Sequence, residues 1–269
     1  MADALFARIM GILNVTPDSF SDGGQYHTQE AALRQAEELI SAGADILDIG
    51  GESTRPYAKP VSLEDELSRT IPVIKAIRGR HSIPISIDTT KAEVARQALE
   101  AGADIINDIS SLKKDPEMIV VVRESNVPVI IMHMQGTPAD MQDRPKYENV
   151  VEEICGFFNE RIEWMTANGV DRNRIILDPG IGFGKTIVHN LSIIKHIDRF
   201  KTFGLQVLLG HSRKKFLGLL TGLDAQQRDL PTAVVAALSA QHHVDIIRVH
   251  NVAATRQALQ VAEAILQAA

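Results

Sequence analysis

Ala42-Gly-Ala-Asp-Ile-Leu-Asp-Ile49 recurs as Ala101-Gly-Ala-Asp-Ile-Ile-Asn-Asp-Ile109. In both copies a run of helical period ends at glycine, an aspartate follows, and a β-branched stretch begins, so helix end, turn and strand are used twice. Gly43 and Gly102 stand where a helix would close in a left-handed residue. The same plan is looser in Gly169–Asp178 and Val244–Val249. Working outward, strands are expected at Ile9–Leu13, Ile46–Ile49, Ile85–Asp88, Ile105–Asp108, Val127–Met132, Ile175–Leu177, Gln206–Leu209 and Ile246–Val249, with helical segments between them. Ser62-Leu-Glu-Asp65 and Thr90-Lys-Ala-Glu93 resemble capping boxes that would open two of those helices. Eight strand–helix units in 269 residues match a single (β/α)8 TIM barrel, whereas an open doubly wound α/β sheet more often has fewer strands. No linker or break in composition divides the chain, so residues 1–269 are read as one domain.

Hydrophobic residues make up 45% and charged residues 23%, which excludes disordered, collagenous and coiled-coil chains. Twenty-eight Lys+Arg against 34 Asp+Glu leave a net charge of −6, so nothing draws the whole molecule to nucleic acid or to an anionic membrane. No apolar run is long enough to span a bilayer, and Met1-Ala-Asp-Ala4 lacks the features of a signal peptide, so a cytoplasmic location is expected. The single cysteine, Cys155, excludes an intramolecular disulfide and is expected to be a buried, inert thiol.

Strands of a barrel are buried on both faces, which disfavours polar side chains along them. Yet most of these strands end in one: Asn14, Asp48, Asp88, Asn107 with Asp108, His133, Asp178, Ser212, and Arg248 with His250. Any one of them could simply tie down a loop, but as a set they converge on the face where barrels build active sites. The loops Asn14–Gly24 and Gly50-Gly-Glu-Ser-Thr-Arg-Pro56 are rich in glycine and hydroxyls, with Thr54 and Arg55 suited to phosphate. Asp178-Pro-Gly-Ile-Gly-Phe-Gly-Lys-Thr186 fails the P-loop pattern because Pro179 stands where glycine is required; what remains is an acid at a strand end and a turn presenting Phe183. Gly210-His-Ser-Arg-Lys-Lys215 precedes a helical run, so a helix N-terminus and three cations would make an anion site. Arg248 and His250 should point the same way and could grip a diphosphate, while Asp178 and Asp88 suit the paired N–H groups of a guanidine-like ring edge. A metal-dependent amidohydrolase is disfavoured by the lack of His-x-His on the first strand, and there is no Gly-x-Ser-x-Gly elbow.

Met10–Gly24, Gly50–Pro56, Ile87-Asp-Thr89, Ile106-Asn-Asp108, Met132-His-Met-Gln-Gly136, Asp178–Lys185, Ser212-Arg-Lys214 and Arg248-Val-His250 resemble, in order and over almost the whole chain, the bacterial dihydropteroate synthases. The resemblance implies a pterin-binding barrel that joins 4-aminobenzoate to 6-hydroxymethyl-7,8-dihydropterin diphosphate in folate biosynthesis, the step that sulfonamides target. It places Asp88, Asn107, Asp178, Lys214 and Met132 around the pterin, and Arg248 and His250 on the diphosphate. Asn14 would help hold Mg²⁺, and Phe20, Thr54, Arg55, Pro56 and Phe183 would complete the aminobenzoate pocket. Catalytic roles fall to Lys214, Arg55 and Asp88, substrate contacts also to Ser212 and Lys215, and the assembly would be a homodimer formed through Thr232–His242 and Val252–Leu266. The sequence departs from the family at Lys215, where serine is frequent, at His211 and Asn251, and along Tyr57-Ala-Lys-Pro60. Two other readings stay open: a methyltransferase barrel acting on a methylated folate, which needs no diphosphate grip, and an inactive pterin-binding relative.

Overall fold

The computed structural model describes residues 7–16, 25–53, 60–137, 141, 143 and 145–268, with the backbone alone for 25–28. Strands β1 (Arg8–Asn14), β2 (Ile46–Gly50), β3 (Ile85–Asp88), β4 (Ile105–Asp108), β5 (Val129–Met132), β6 (Ile175–Asp178), β7 (Gln206–Leu209) and β8 (Ile246–Val249) close into a barrel in sequence order. Every neighbouring pair is parallel, including β1 with β8. The surrounding helices are α1 (Gln25–Ser41), α2 (Leu63–Arg78), α3 (Ala92–Glu100), α4 (Met118–Ser125), α5 (Val150–Ala167), α6 (Ile187–Lys195), α7 (Asp198–Lys201), α8 (Lys215–Thr221), α9 (Asp229–Ala240) and α10 (Val252–Gln267). The expected strands and the (β/α)8 barrel are therefore observed.

The period of two along each strand divides two apolar environments. Leu47, Ile49, Ile85, Ile87, Ile106, Ile131, Leu177, Leu209 and Val249 face outward into the layer between sheet and helices. Met10, Ile46, Ile105, Ile130, Ile176, Leu208 and Ile246 face inward and fill the barrel with an apolar floor. Two residues further along the same strands the inward positions become Asp48, Asn107, Met132, Asp178 and Arg248, so polar chemistry begins one layer above that floor.

At the opposite end the repeated Ala-Gly-Ala-Asp fragment acts as a structural joint. Gly43 and Gly102 take φ of +94° and +109°, the left-handed turn the sequence anticipates. Asp45 Oδ2 accepts from Ile9 N at 2.8 Å, and Asp104 Oδ2 accepts from Ile85 N at 2.8 Å, so each aspartate satisfies an N–H at the start of a neighbouring strand. Asp245 does the same for Val207 N at 2.6 Å. An arginine packs over each glycine: Arg78 donates to Gly102 O and Asp104, and Arg256 donates to Gly43 O and Asp45. A Cβ on Gly102 would lie 2.9 Å from Arg78 Cγ, so the position needs glycine for space as well as for φ.

Helix starts agree with the sequence in one case and differ in the other. Ser62 caps α2, accepting from Asp65 N at 3.1 Å. Thr90 does not cap α3: the N-cap is Lys91, without a side-chain cap bond, and Ala92 N donates instead to Asp115 Oδ2 at 2.8 Å. A carboxylate from the next β/α unit occupies the role that local pattern assigned to the hydroxyl. Cys155 is buried on α5, and burial raises its thiol pKa, in keeping with an inert residue. Removing the joint should be costly: Asp104→Ala leaves a buried strand N–H unpaired, and urea unfolding should show a loss of about 1–3 kcal/mol. An unchanged midpoint would show that this aspartate does not carry the joint.

Candidate active site

Arg248, on the penultimate residue of β8, points into the barrel. Its Nε donates to Asp48 Oδ2 at 2.5 Å and an Nη donates to Asp88 Oδ2 at 2.7 Å. Asn107 Nδ2 approaches both Asp48 oxygens, at 3.4 and 3.3 Å. These side chains come from β2, β3, β4 and β8; Asp88 and Asn107 are brought side by side because they are register partners. Burial works to lower the Arg248 pKa, but Asp48 and Asp88 together hold it above its usual range. Asp88 is pushed up to about 7, chiefly by burial and further by Asp48, Glu66 and Asp108, against the pull of Arg248. Near neutrality this carboxyl exchanges a proton readily, as expected of a functional acid in a cleft.

Asp178 ends β6 beside Met132 of β5 and accepts from Gly180 N at 2.7 Å. Burial raises its pKa, while Gly180 N–H, Arg248, Lys214 and Lys185 favour the carboxylate. After it, Gly180, Gly182 and Gly184 all take positive φ, and the turn folds Phe183 into a small buried cluster with Met132, Ile109 and Met141. Lys214 Nζ sits 3.9 Å from the Phe183 ring centroid, a cation–π contact. Burial and Arg248 lower Lys214 to about 8, with Asp178 and Asp88 opposing. The mouth thus holds three acids, an amide, an aromatic face and two cations within one constellation, suited to a flat heteroaromatic ring with N–H donors and an anionic tail.

Ser212 and His250 form the rim of this site. Ser212 Oγ accepts from His250 N at 3.1 Å and lies 2.9 Å from His250 Nδ1. With the hydroxyl hydrogen directed to Nδ1, the neutral ring carries its proton on Nε2 and can present it to the site. Burial, with Arg213, Arg248 and Lys214, lowers the His250 pKa to about 3, so this residue offers a neutral N–H donor and not the positive charge its pairing with Arg248 suggested.

The sequence expectation of three cations at a helix N-terminus also needs correction. Arg213, at φ +56°, turns away to Asp229, with bonds of 2.6 and 2.8 Å, and Asn251 shares that carboxylate. Lys215 begins the short α8 with an exposed side chain. Lys214 alone turns inward, because the three consecutive side chains must point in different directions from an irregular backbone. Asp108 and His133 likewise leave the set of strand ends. Asp108 lies off the inward parity and accepts from Ser110 N, Ser110 Oγ and Leu112 N. His133 lies behind the wall of the site, 3.0 Å from Lys185 Nζ.

Sequence reasoning left out two buried groups. Asp48 was noted as a strand end and given no role, although it is the fully buried partner of Arg248. Lys91 pairs with Glu52 at 2.5 Å and with Glu66, and Thr89 donates to Glu66, which braces the root of the second loop through α2 and α3. Strand parity could have flagged Asp48; nothing in local sequence joins Lys91 to Glu52 and Glu66. Asn14 ends β1, half-buried and in register with Gly50. Phe20, Thr54, Arg55 and Pro56 lie outside the described residues.

A family model described as pterin binding enzyme matches residues 10–250. A dihydropteroate synthase of Escherichia coli is 46% identical over 269 residues, covering 99% of this chain and 94% of that protein. Among solved structures, a Yersinia pestis dihydropteroate synthase in complex with a sulfonamide drug superposes with a TM-score of 0.93 at 43% identity, covering 97% of this chain and 95% of that one. A Xanthomonas albilineans dihydropteroate synthase with 4-aminobenzoic acid superposes with a TM-score of 0.92 at 45% identity, covering 98% and 94%.

The buried acid yields a direct expectation. Infrared or NMR titration of the unliganded protein should show a carboxyl titrating at about 7 that is absent from Asp88→Asn. Titration of every carboxyl below pH 5 would contradict the burial account.

Proposed function

Because the chain belongs to the pterin binding enzyme family, we propose that its site condenses 6-hydroxymethyl-7,8-dihydropterin diphosphate with 4-aminobenzoate, giving 7,8-dihydropteroate and diphosphate in folate biosynthesis. The observation that carries this reading is the inward ring of Asp88, Asn107, Asp178 and Arg248 above the apolar floor. A pterin presents a flat ring whose guanidine-like edge donates paired N–H groups, and a buried carboxylate is the complementary acceptor. Asp178 takes that role, with Asp88 and Asn107 reading other ring positions, and Met132 packing on the ring. The relatives support the remaining half of the reaction: one is described with 4-aminobenzoic acid, another with a sulfonamide drug.

Arg248 faces the ring and the leaving diphosphate; engaging substrate would exchange its contact with Asp88 for one with the substrate while Nε stays on Asp48. His250 donates from Nε2 to diphosphate oxygens, and Lys214 adds charge from the Phe183 side. Stabilising the departing diphosphate weakens the C–O bond, and the electron-rich dihydropterin delocalises the methylene cation that results. The aniline nitrogen then attacks in an SN1-like displacement, so placement and electrostatics contribute more than a strong base. Asp88, at about 7, is suited to take up the proton released on C–N bond formation.

Among the described residues Asn14 offers one half-buried amide at the mouth, which suits Mg²⁺, an ion that keeps several waters and is commonly held by few protein ligands together with substrate phosphates. When bound there with diphosphate, Mg²⁺ would supply positive charge to the leaving oxygens. Asn14 would orient it.

Homodimer formation is proposed through α9 and α10, where Leu230, Val234, Leu238, Val261, Ile265 and Leu266 are exposed along one apolar groove. A cytoplasmic setting suits the lone reduced cysteine, and cell fractionation would check it. No helix among the described residues is long and apolar enough to cross a membrane.

Incubating the protein with Mg²⁺, the pterin diphosphate and 4-aminobenzoate should yield dihydropteroate; a folded protein that forms none would refute the reading. Arg248→Ala should lower kcat/KM for the pterin diphosphate on the order of 100-fold, as loss of a charge-stabilising donor does. It should weaken binding of a pterin without the diphosphate far less, whereas equal losses would remove the proposed grip. Val234→Glu should convert a sedimenting dimer into monomer; an unchanged sedimentation coefficient would place the interface elsewhere.

A further inference from the structure

The turn Pro179–Lys185 carries Phe183 into the site, yet its backbone has little preference of its own, since Gly180, Gly182 and Gly184 all sit in the left-handed region. It must be held by bonds from outside. Asp178 takes Gly180 N, Asn190 takes Gly182 N at 2.7 Å, and Tyr147 Oη donates to Gly184 O at 2.9 Å. The peptide of Phe183 itself is held by Lys185. This amine is buried, 4% exposed, and burial together with Lys214 lowers its pKa to about 7 against the pull of Asp178; it donates to Phe183 O at 2.9 Å and to His133 O at 3.2 Å, and lies 3.0 Å from His133 Nδ1.

These bonds span two strands. Lys185 follows β6, and His133 follows β5, so one side chain fixes the end of β5 to the carbonyl behind the Phe183 ring. The fit is close: a Cβ on Gly180 would lie 2.0 Å from His133 O. On the other side of the turn Lys214 Nζ rests 3.9 Å from the Phe183 ring centroid, and a Cβ on Gly182 would lie 3.0 Å from Lys214 Cδ. Phe183 therefore has its carbonyl set from behind by Lys185 and its ring set against Lys214.

We propose that Lys185 is a positioning residue for the aminobenzoate half of the site, acting through the peptide of Phe183. The inference rests on the assignment of Phe183 to the aminobenzoate pocket. Buried behind the turn with its bonds directed to protein atoms, Lys185 would act through Phe183 and not as a substrate contact. A buried amine bonded to two carbonyls and an imidazole is a rigid peg: its bonds tie the Phe183 peptide to the end of β5, and losing the group would leave those carbonyls buried and unpaired. Strand register places Asp178, Asn107 and Asp88, so the peg positions none of the pterin-reading side chains, and its one link to them is the charge that favours the Asp178 carboxylate.

The test measures KM for 4-aminobenzoate, kcat, and the Kd of a pterin without the diphosphate, in wild type, Lys185→Met, Lys185→Gln and Phe183→Leu, and in the Lys185→Met/Phe183→Leu double variant. Lys185→Met should raise KM for 4-aminobenzoate about tenfold, the scale of leaving one buried acceptor unpaired. The pterin Kd should stay within about twofold, and Lys185→Gln, which keeps an N–H donor, should fall between wild type and Lys185→Met. If the effect runs through Phe183, Lys185→Met should add less than about twofold in the Phe183→Leu background. Full additivity, an unchanged KM, or equal losses for both substrates would each overturn the proposal. Should Lys185→Met fail to fold, the split between KM and pterin Kd in Lys185→Gln decides the matter alone. Wild-type formation of dihydropteroate is scored separately, so failure of the peg and failure of the functional reading are distinguishable.

Discussion

A guanidinium inside a closed barrel is tolerated only if carboxylates surround it, and the mouth of this molecule is arranged to meet that requirement for Arg248. Transferring an ion out of water costs several kcal/mol even after relaxation. Asp48 is fully buried and takes Nε; Asp88 takes an Nη and faces the cavity. The two acids differ in consequence. One is a permanent partner, and the other, crowded by burial and by neighbouring acids, is held near its protonation midpoint at neutral pH. That difference lets the same ion cluster hold the barrel mouth together and still exchange a partner when a ligand arrives.

Around this cluster the barrel separates stability from function along its axis. Below it, Met10, Ile46, Ile130, Leu208 and their neighbours form a solid apolar plug, and below that Asp45, Asp104 and Asp245 close strand ends through backbone N–H groups. Above it, the inward positions are polar and the backbone is irregular, so side chains there are set by their partners: Phe183 by Lys185 and Lys214, His250 by Ser212, Arg213 by Asp229. Electrostatically the mouth is a mixture of acids, two cations and a neutral imidazole. Such a mixture can bind a ring edge with one part and a polyanion with another without either being repelled.

How much of this was readable in the chain depends on the range of the interaction. The repeat of Ala-Gly-Ala-Asp, the β-branched runs and the spacing of eight units follow local rules, and the strands and glycine turns are observed where those rules put them. The inward acids were readable too, since parity from an apolar floor residue identifies Asp48, Asn107, Asp178 and Arg248 as facing the barrel axis. Parity also shows why Asp108 and His133 do not belong with them. The cap at Thr90 failed because a distant carboxylate, Asp115, supplied the acceptor first. The cations after β7 diverged because side-chain direction in an irregular segment is settled by outside partners, here Asp229 for Arg213 and the Phe183 ring for Lys214.

The amino-acid sequence alone determined the barrel, the family and which polar strand residues face the barrel mouth, because periodicity, turn chemistry and motif order are properties of neighbouring positions. Only the tertiary structure decided that Arg248 is clasped by Asp48 and Asp88, that His250 stays neutral against Ser212, and that Lys185 stands behind Phe183. Those outcomes depend on burial and on the meeting of groups as much as 200 residues apart. Desolvation and hydrogen-bond partnership exist only once the chain has closed on itself.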